Sequence, residues 1–276
     1  MKKSSRKTLL AMAPLVLALG LGTACGRSGP ESSAVKVTNG IAVNESTFPS
    51  TVLLVMETPQ GEAICTGTFV NDSQVVTAGH CVEGQNAVRP QIYYATERGG
   101  RMQAVAQAVS YKRNPLYSHA EGVGPNDVAV ITFPAHTAPA ITALAPAAPR
   151  VGDEFTIVGY GNSANFINAT GVLDGEGAGV KRAGTNTLSS VDDGMLGFAG
   201  LTGKEAAPVD GEKAGEYVSS GEGDSGGPLF VNGKLAGVTS GGGLRKTADG
   251  LDVSVSFYVD LNSPGSLKFL ATALKK

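Results

Sequence analysis

Three residues far apart in the sequence have the types needed for nucleophilic catalysis: Ser225, His80 and Asp127. Ser225 lies in Gly221-Glu222-Gly223-Asp224-Ser225-Gly226-Gly227-Pro228, directly before the apolar run Leu229-Phe230-Val231. A hydroxyl set among glycines at the mouth of a β-type run sits on a tight turn that a substrate carbonyl can approach closely. In such a turn the N–H groups of Gly223 and Ser225 can converge on one point as an oxyanion hole. The same residue types also make ordinary surface turns. A nucleophile therefore requires a base and an orienting acid elsewhere in the chain.

The base has to come from His80, His119 or His136. His80 ends a unit that starts at Cys65, in which apolar stretches 68–70 and 75–77 flank the turn Asn71-Asp72-Ser73, a hairpin signal. A disulfide between Cys65 and Cys81 would close this unit, contribute about 3 kcal/mol by loop entropy, and fix His80 at a strand end. His119 and His136 have no comparable support and are expected on the surface. The paired short cysteine spacings of a zinc site are missing here, so neither a metal nor a cofactor is expected. The acid, Asp127, opens Asp127-Val128-Ala129-Val130-Ile131-Thr132-Phe133. A carboxylate entering a buried strand needs hydrogen-bond partners, and an imidazole N–H is a suitable one. Taken alone, Asp127 would be read as a surface residue that starts a strand.

The elements that must position these residues are short and β-rich. The chain has 276 residues, 42% hydrophobic and 17% charged, enough for one or two cores, and its 38 glycines carry no fixed period, which favours many turns over long helices. A net charge of −2 without blocks of like charge gives no electrostatic footprint for nucleic acid. Ala145-Pro146-Ala147-Ala148-Pro149 reads as a crossover linker between two halves. Near the end, Ser263-Pro264 followed by Leu267, Leu270 and Leu274 reads as a capped terminal helix.

The first 24 residues read as an export signal: Lys2, Lys3, Arg6 and Lys7, then a short apolar stretch interrupted by Pro14. The mature chain is expected outside the cytoplasm. Leu21-Gly22-Thr23-Ala24-Cys25 resembles a bacterial lipoprotein box with its leucine one place early, while Gly22 and Ala24 also suit ordinary signal peptidase. Pairing of Cys65 with Cys81 would leave Cys25 over, and lipidation would remove that reactive thiol; residues 25–36 would then be a tether or propeptide. Membrane attachment through lipidated Cys25 and a plain secreted form are the two expectations. Asn168-Ala169-Thr170 forms a glycosylation sequon that reads as chance, and no site is expected in residues 162–215.

The Thr77-Ala78-Gly79-His80-Cys81, Asn126-Asp127-Val128-Ala129-Val130 and Gly223-Asp224-Ser225-Gly226-Gly227-Pro228 blocks, in this order, resemble the chymotrypsin and trypsin family of serine proteases from about Val37 to Tyr258. The resemblance implies an all-β chain with two six-stranded antiparallel β-barrels, expected at 37–147 and, with the C-terminal α-helix, at 148–276. It implies a serine endopeptidase acting on protein or peptide substrates through an acyl-enzyme: Ser225 as nucleophile, His80 as base, Asp127 as orienting acid, and the Gly223 and Ser225 N–H groups as oxyanion hole. A monomer is expected. The rival readings are an inactive protease-like binding protein and a surface adhesin.

Two further expectations follow from the resemblance. Family members that cleave after Arg or Lys carry an acid six places before the nucleophile, where Ser219 stands here. The other wall positions would be Ser240, Gly242 and Ser256, all uncharged, so an apolar or medium-sized side chain is expected in the pocket. Lys36-Val37 resembles the family's activation site, at which cleavage frees an apolar N-terminus whose ammonium pairs with the acid before the nucleophile, here Asp224.

Overall fold

The computed structural model describes residues 40–58, 61–83, 90–118, 120, 122–167, 173–202, 215–248, 250 and 252–275. The expected export signal, Cys25, Lys36, Val37, His119 and the 168–170 sequon lie outside the described residues. Among the described residues no helix is long and apolar enough to cross a membrane.

After a two-residue strand, β1 (Ile41–Ala42), the first half of the chain makes β2 (Thr51–Thr58), β3 (Gly61–Phe69), β4 (Gln74–Thr77), β5 (Gln91–Arg98), β6 (Arg101–Gln107), β7 (Ser110–Arg113) and β8 (Ala129–Thr132). They form one antiparallel sheet in the order β6-β5-β2-β3-β4-β8-β7. Its two ends are one bent strand. At the bend the Ala108 N–H donates to Ile92 O and the next residue, Val109, donates to Thr132 O. The chain thus leaves the β5 side and joins β8, closing a six-stranded barrel. The β3–β4 connection turns where the sequence predicts it: Asn71 Oδ1 accepts from the N–H groups of Ser73 and Gln74 at 3.1 and 2.8 Å.

The second half makes β9 (Glu154–Gly159), the ladder β10 (Ala164–Ile167) and β11 (Leu173–Glu176), then β12 (Arg182–Thr187), β13 (Ser190–Asp192), β14 (Met195–Thr202), β15 (Pro228–Val231), β16 (Lys234–Lys246) and β17 (Asp252–Asp260). The same closing device appears here. β12 pairs with β9 and β13 pairs with β14, and between them Leu188 N–H donates to Asp153 O while Ser189 N–H donates to Gly197 O. Counting each bent strand once, both barrels are six-stranded, as the resemblance implies. β1 adds to the second barrel, with Ile41 opposite Ala183.

Phe69, Tyr94 and Phe133 fill the first barrel in mutual edge or tilted contact, and Phe155, Phe198 and Tyr258 fill the second. Val76, Val128 and Val130 of the first barrel meet Val158, Val238 and Val259 of the second in a shared layer. The terminal helix α1 (Pro264–Ala273) covers this layer with Phe269, Leu270 and Ala273. Ser263 caps α1, accepting from Ser266 N–H, with Pro264 in the first turn as its sequence suggests. Leu267, expected on the apolar face, is half exposed, because the buried stripe is centred on Ser266, Phe269, Leu270 and Ala273. The helix also reaches the first barrel: Gln74 Nε2 donates to Ala273 O at 3.2 Å and Lys275 N–H donates to Gln74 Oε1 at 2.7 Å.

Candidate active site

His80 opens a single 3₁₀ turn, His80–Val82, just beyond β4. The Cys65–Cys81 disulfide, with Cα atoms 6.3 Å apart, ties that turn to β3. The two sulfurs beside His80 are therefore spent on each other and offer no thiolate to a metal. Gly79 precedes the turn because a Cβ there would stand 3.1 Å from Asp127 Oδ1 and 3.2 Å from the Tyr117 ring.

Asp127 is fully buried ahead of β8 and is met by three donors. Its Oδ1 accepts the backbone N–H of His80 at 2.8 Å, and its Oδ2 lies 2.7 Å from His80 Nδ1 and accepts Ser240 Oγ–H at 2.8 Å. This makes burial of the carboxylate tolerable. It also assigns the Nδ1 proton of His80 to Asp127 and leaves Nε2 of this partly exposed side chain as the basic nitrogen.

The turn carrying Ser225 is held from both barrels. Asp224 N–H donates to Gly221 O and Gly227 N–H to Asp224 O, winding it tightly. From β3, Thr66 N–H donates to Ser225 O at 2.8 Å and Thr66 Oγ1 donates to Gly223 O at 3.1 Å. From β16, Thr239 O accepts Gly226 N–H and Thr239 N–H donates to Gly227 O. Gly223 and Gly226 take φ of +94° and +74°, which disfavours any side chain, and a Cβ on Gly226 would stand 2.6 Å from Ala78 N. Ser225 O lies 3.6 Å from Cys81 Sγ, so nucleophile turn and histidine turn are in contact. The turn bonds described use the N–H groups of Asp224, Gly226 and Gly227, not those of Gly223 and Ser225.

Asp224 points the other way, into the second barrel. Its carboxylate accepts Gly161 N–H at 2.8 Å and Gly221 N–H at 2.9 Å. Gly159 and Gly161 leave it room, since a Cβ on Gly159 would run into Oδ1. Burial pushes the Asp224 carboxyl up from 3.8 to about 6, against the opposing pull of the Gly221 and Gly161 N–H groups and of Arg182. A small cavity lined by Gly40, Gly159, Gly161, Arg182 and Asp224 opens beside it.

A cleft of about 330 Å³ opens from Ser225 between Ser220, Gly242, Leu244 and Ser254. Of the expected pocket residues, Gly242 lines it. Ser219 and Ser256 are fully buried, and Ser256 Oγ holds Ser220 through its N–H at 2.9 Å and its hydroxyl at 3.0 Å. Ser240 turns instead to Asp127. Leu244 was not singled out by the sequence: β16 continues through Gly241-Gly242-Gly243 with β17 as partner and carries it to the cleft wall. Glu222, exposed at the rim, is the charged residue of the lining. His136 sits on the surface, its Nδ1 3.4 Å from Asp72 Oδ2.

Comparison with known proteins shows the family of the chain. Residues 37–263 match the family model described as Trypsin. The chain is 30% identical to a trypsin of Saccharopolyspora erythraea over 232 residues, covering 82% of this chain and 96% of the relative. It is 29% identical to an anionic trypsin of Bos taurus, covering 90% and 96%, and 26% identical to trypsin alpha-4 of Lucilia cuprina, covering 83% and 87%.

Proposed function

Because the chain belongs to the trypsin family and is a serine endopeptidase, we propose that it cleaves peptide bonds with Ser225 as nucleophile, His80 as general base and acid, and Asp127 as orienting acid. The observation that carries this reading is the Asp127 carboxylate, which accepts His80 Nδ1–H at 2.7 Å and so leaves Nε2 as the basic nitrogen. Nε2 takes the Ser225 Oγ proton as Oγ bonds to the substrate carbonyl carbon. The carbonyl oxygen becomes an oxyanion that accepts the N–H groups of Gly223 and Ser225. His80 then gives its proton to the departing amine, leaving an acyl-enzyme. Water, deprotonated by Nε2, attacks the acyl carbon, and the proton returns to Ser225 Oγ.

The cleft selects an apolar side chain before the scissile bond: its interior walls are glycine, hydroxyl groups and Leu244, with no buried acid among the described residues of the lining to meet a cation. Activation follows cleavage after Lys36. The new Val37 ammonium, three residues from Gly40 in the cavity lining, reaches the buried Asp224 and orders residues 223–225. The enzyme works outside the cytoplasm, tethered through acylated Cys25 until that cut releases it. A fluorophosphonate probe tests the central claim: it should label the wild type at Ser225 and leave Ser225→Ala and His80→Ala unlabelled. Equal labelling of His80→Ala would show that His80 is not the base.

A further inference from the structure

Away from the cleft, a lysine is buried between the barrels. The Lys181 side chain is 1% exposed. Its Nζ lies 3.2 Å from Glu45 Oε2, donates to the carbonyls of Glu45, Thr47 and Phe48 at 3.1, 3.4 and 3.3 Å, and stands 5.5 Å from the centre of the Tyr160 ring. Glu45 Oε2 also accepts the hydroxyl of Tyr160 at 2.6 Å and that of Thr96, on β5, at 3.3 Å. One carboxylate oxygen therefore gathers the N-terminal segment, the first barrel, Lys181 and Tyr160. Burial pulls the Lys181 pKa down, while Glu45 opposes that shift. Apolar residues of similar volume would fill this space but leave the carbonyls and hydroxyls around it without these partners.

Tyr160 heads the segment that touches the nucleophile turn. Its own N–H donates to Thr66 Oγ1, which in turn donates to Gly223 O. The next two N–H groups reach the turn directly, Gly161 to Asp224 Oδ1 and Asn162 to Glu222 O, both at 2.8 Å. Three successive amides thus set the position of residues 222–224. The side chain at their head is a fully buried phenol whose hydroxyl is anchored on Glu45.

We propose that Glu45, Lys181 and Tyr160 are positioning residues for catalysis, a buried polar node that fixes segment 160–162, and through it the Gly223–Ser225 backbone, relative to the N-terminal segment. This rests on Ser225 being the nucleophile. None of the three touches substrate. Their part is to set where the turn amides point, and an apolar replacement that fills the space would restore packing without restoring that aim.

Two variants of the full-length, activated enzyme test the node. Tyr160→Phe keeps the ring and removes the anchor. It should hold Tm within roughly 3 °C and KM within about twofold, while kcat and the rate of Ser225 labelling by a fluorophosphonate fall about tenfold. The double variant Glu45→Leu/Lys181→Met, which takes this partner from the Tyr160 hydroxyl and from the carbonyls of residues 45, 47 and 48, should show the same loss in kcat with KM within about twofold at a temperature where it is fully folded. Wild-type kcat in either variant would overturn the proposal and reduce the node to packing. Absence of Ser225 labelling in the wild type would instead strike the assignment of the nucleophile.

Discussion

The hydroxyl of Ser240, on the second barrel, donates to Oδ2 of Asp127, on the first, at 2.8 Å. The same oxygen receives His80 Nδ1–H, so the orienting acid is held across the seam and not by its own barrel alone. Ser240→Ala would leave Asp127 with His80 as its side-chain donor. Loss of a charge-assisted hydrogen bond of this kind, worth about 1.5–3 kcal/mol, should lower kcat/KM by roughly tenfold or more with a small change in Tm. Steady-state kinetics showing no change in kcat/KM would remove Ser240 from the site.

Gly159 is shaped by Asp224. A methyl group there would run into the carboxylate, which the N–H groups of Gly161 and Gly221 hold in place. Gly159→Ala should cost about 1–3 kcal/mol of stability by overpacking and should slow Ser225 labelling severalfold, because the displaced acid shifts the turn. A variant with both properties at wild-type level would mean that Asp224 moves without disturbing Ser225.

The pH dependence of the precursor follows from the same carboxyl. Its folded value of about 6 lies above the ordinary 3.8, so between the two the folded chain keeps a proton that the unfolded chain has released. This contribution is fully present below about 3.8 and is lost as pH rises through 6, a change of roughly 3 kcal/mol when no cation meets the acid. Lys36→Gln should therefore give a precursor that gains Tm on going from pH 7 to pH 5 and has low activity. Asp224→Asn in that background should flatten this part of the gain. The cleaved enzyme, with its ammonium on Asp224, should lack it. Equal Tm slopes for precursor and cleaved enzyme, or full activity of Lys36→Gln, would refute activation by the new terminus.

The disulfide spans a short loop of 16 residues in sequence separation. Replacing both Cys65 and Cys81 by Ala should cost about 3 kcal/mol, read as a Tm lower by roughly 6–12 °C. Since Cys81 follows His80 directly, kcat should fall as well at a temperature where the variant is still folded. Unchanged kcat there would show that the Asp127 contacts alone hold the histidine.

On a peptide library, a large apolar residue before the scissile bond should give a kcat/KM at least about tenfold above Arg or Lys at that place. Ser219, which stands where Arg-selective members carry an acid, is fully buried behind Ser220. A preference for Arg would mean that Glu222, at the cleft rim, receives the cation after all.

What the sequence made legible was local. The turns around His80 and Ser225, the hairpin at Asn71 and the cap at Ser263 each depend on neighbours within a few residues, and each stands where its residue types put it. The contacts that join them were not legible. Thr66 grips the nucleophile turn from 157 residues away, and nothing in its surroundings marks it. The run Gly241-Gly242-Gly243 has the composition of a loop, yet it is strand because β17 supplies its ladder, and tertiary pairing outweighs propensity. The Lys181 node escaped for the same reason: a buried charge shows in a sequence only once its partners are known. Expectations for residues 162–215 suffered from the glycines themselves, which carry no side-chain pattern from which to read a face.

Gln74 spans the depth of the molecule, bonding Thr132 on one strand and, at the other end of the chain, Ala273 and Lys275. Both partners follow Ser225 in the sequence and are therefore synthesised after it. A nascent chain that already contains His80, Asp127 and Ser225 still lacks the helix that covers the layer shared by the two barrels. The order of synthesis thus supplies the cover of that layer after all three residues of the proposed triad.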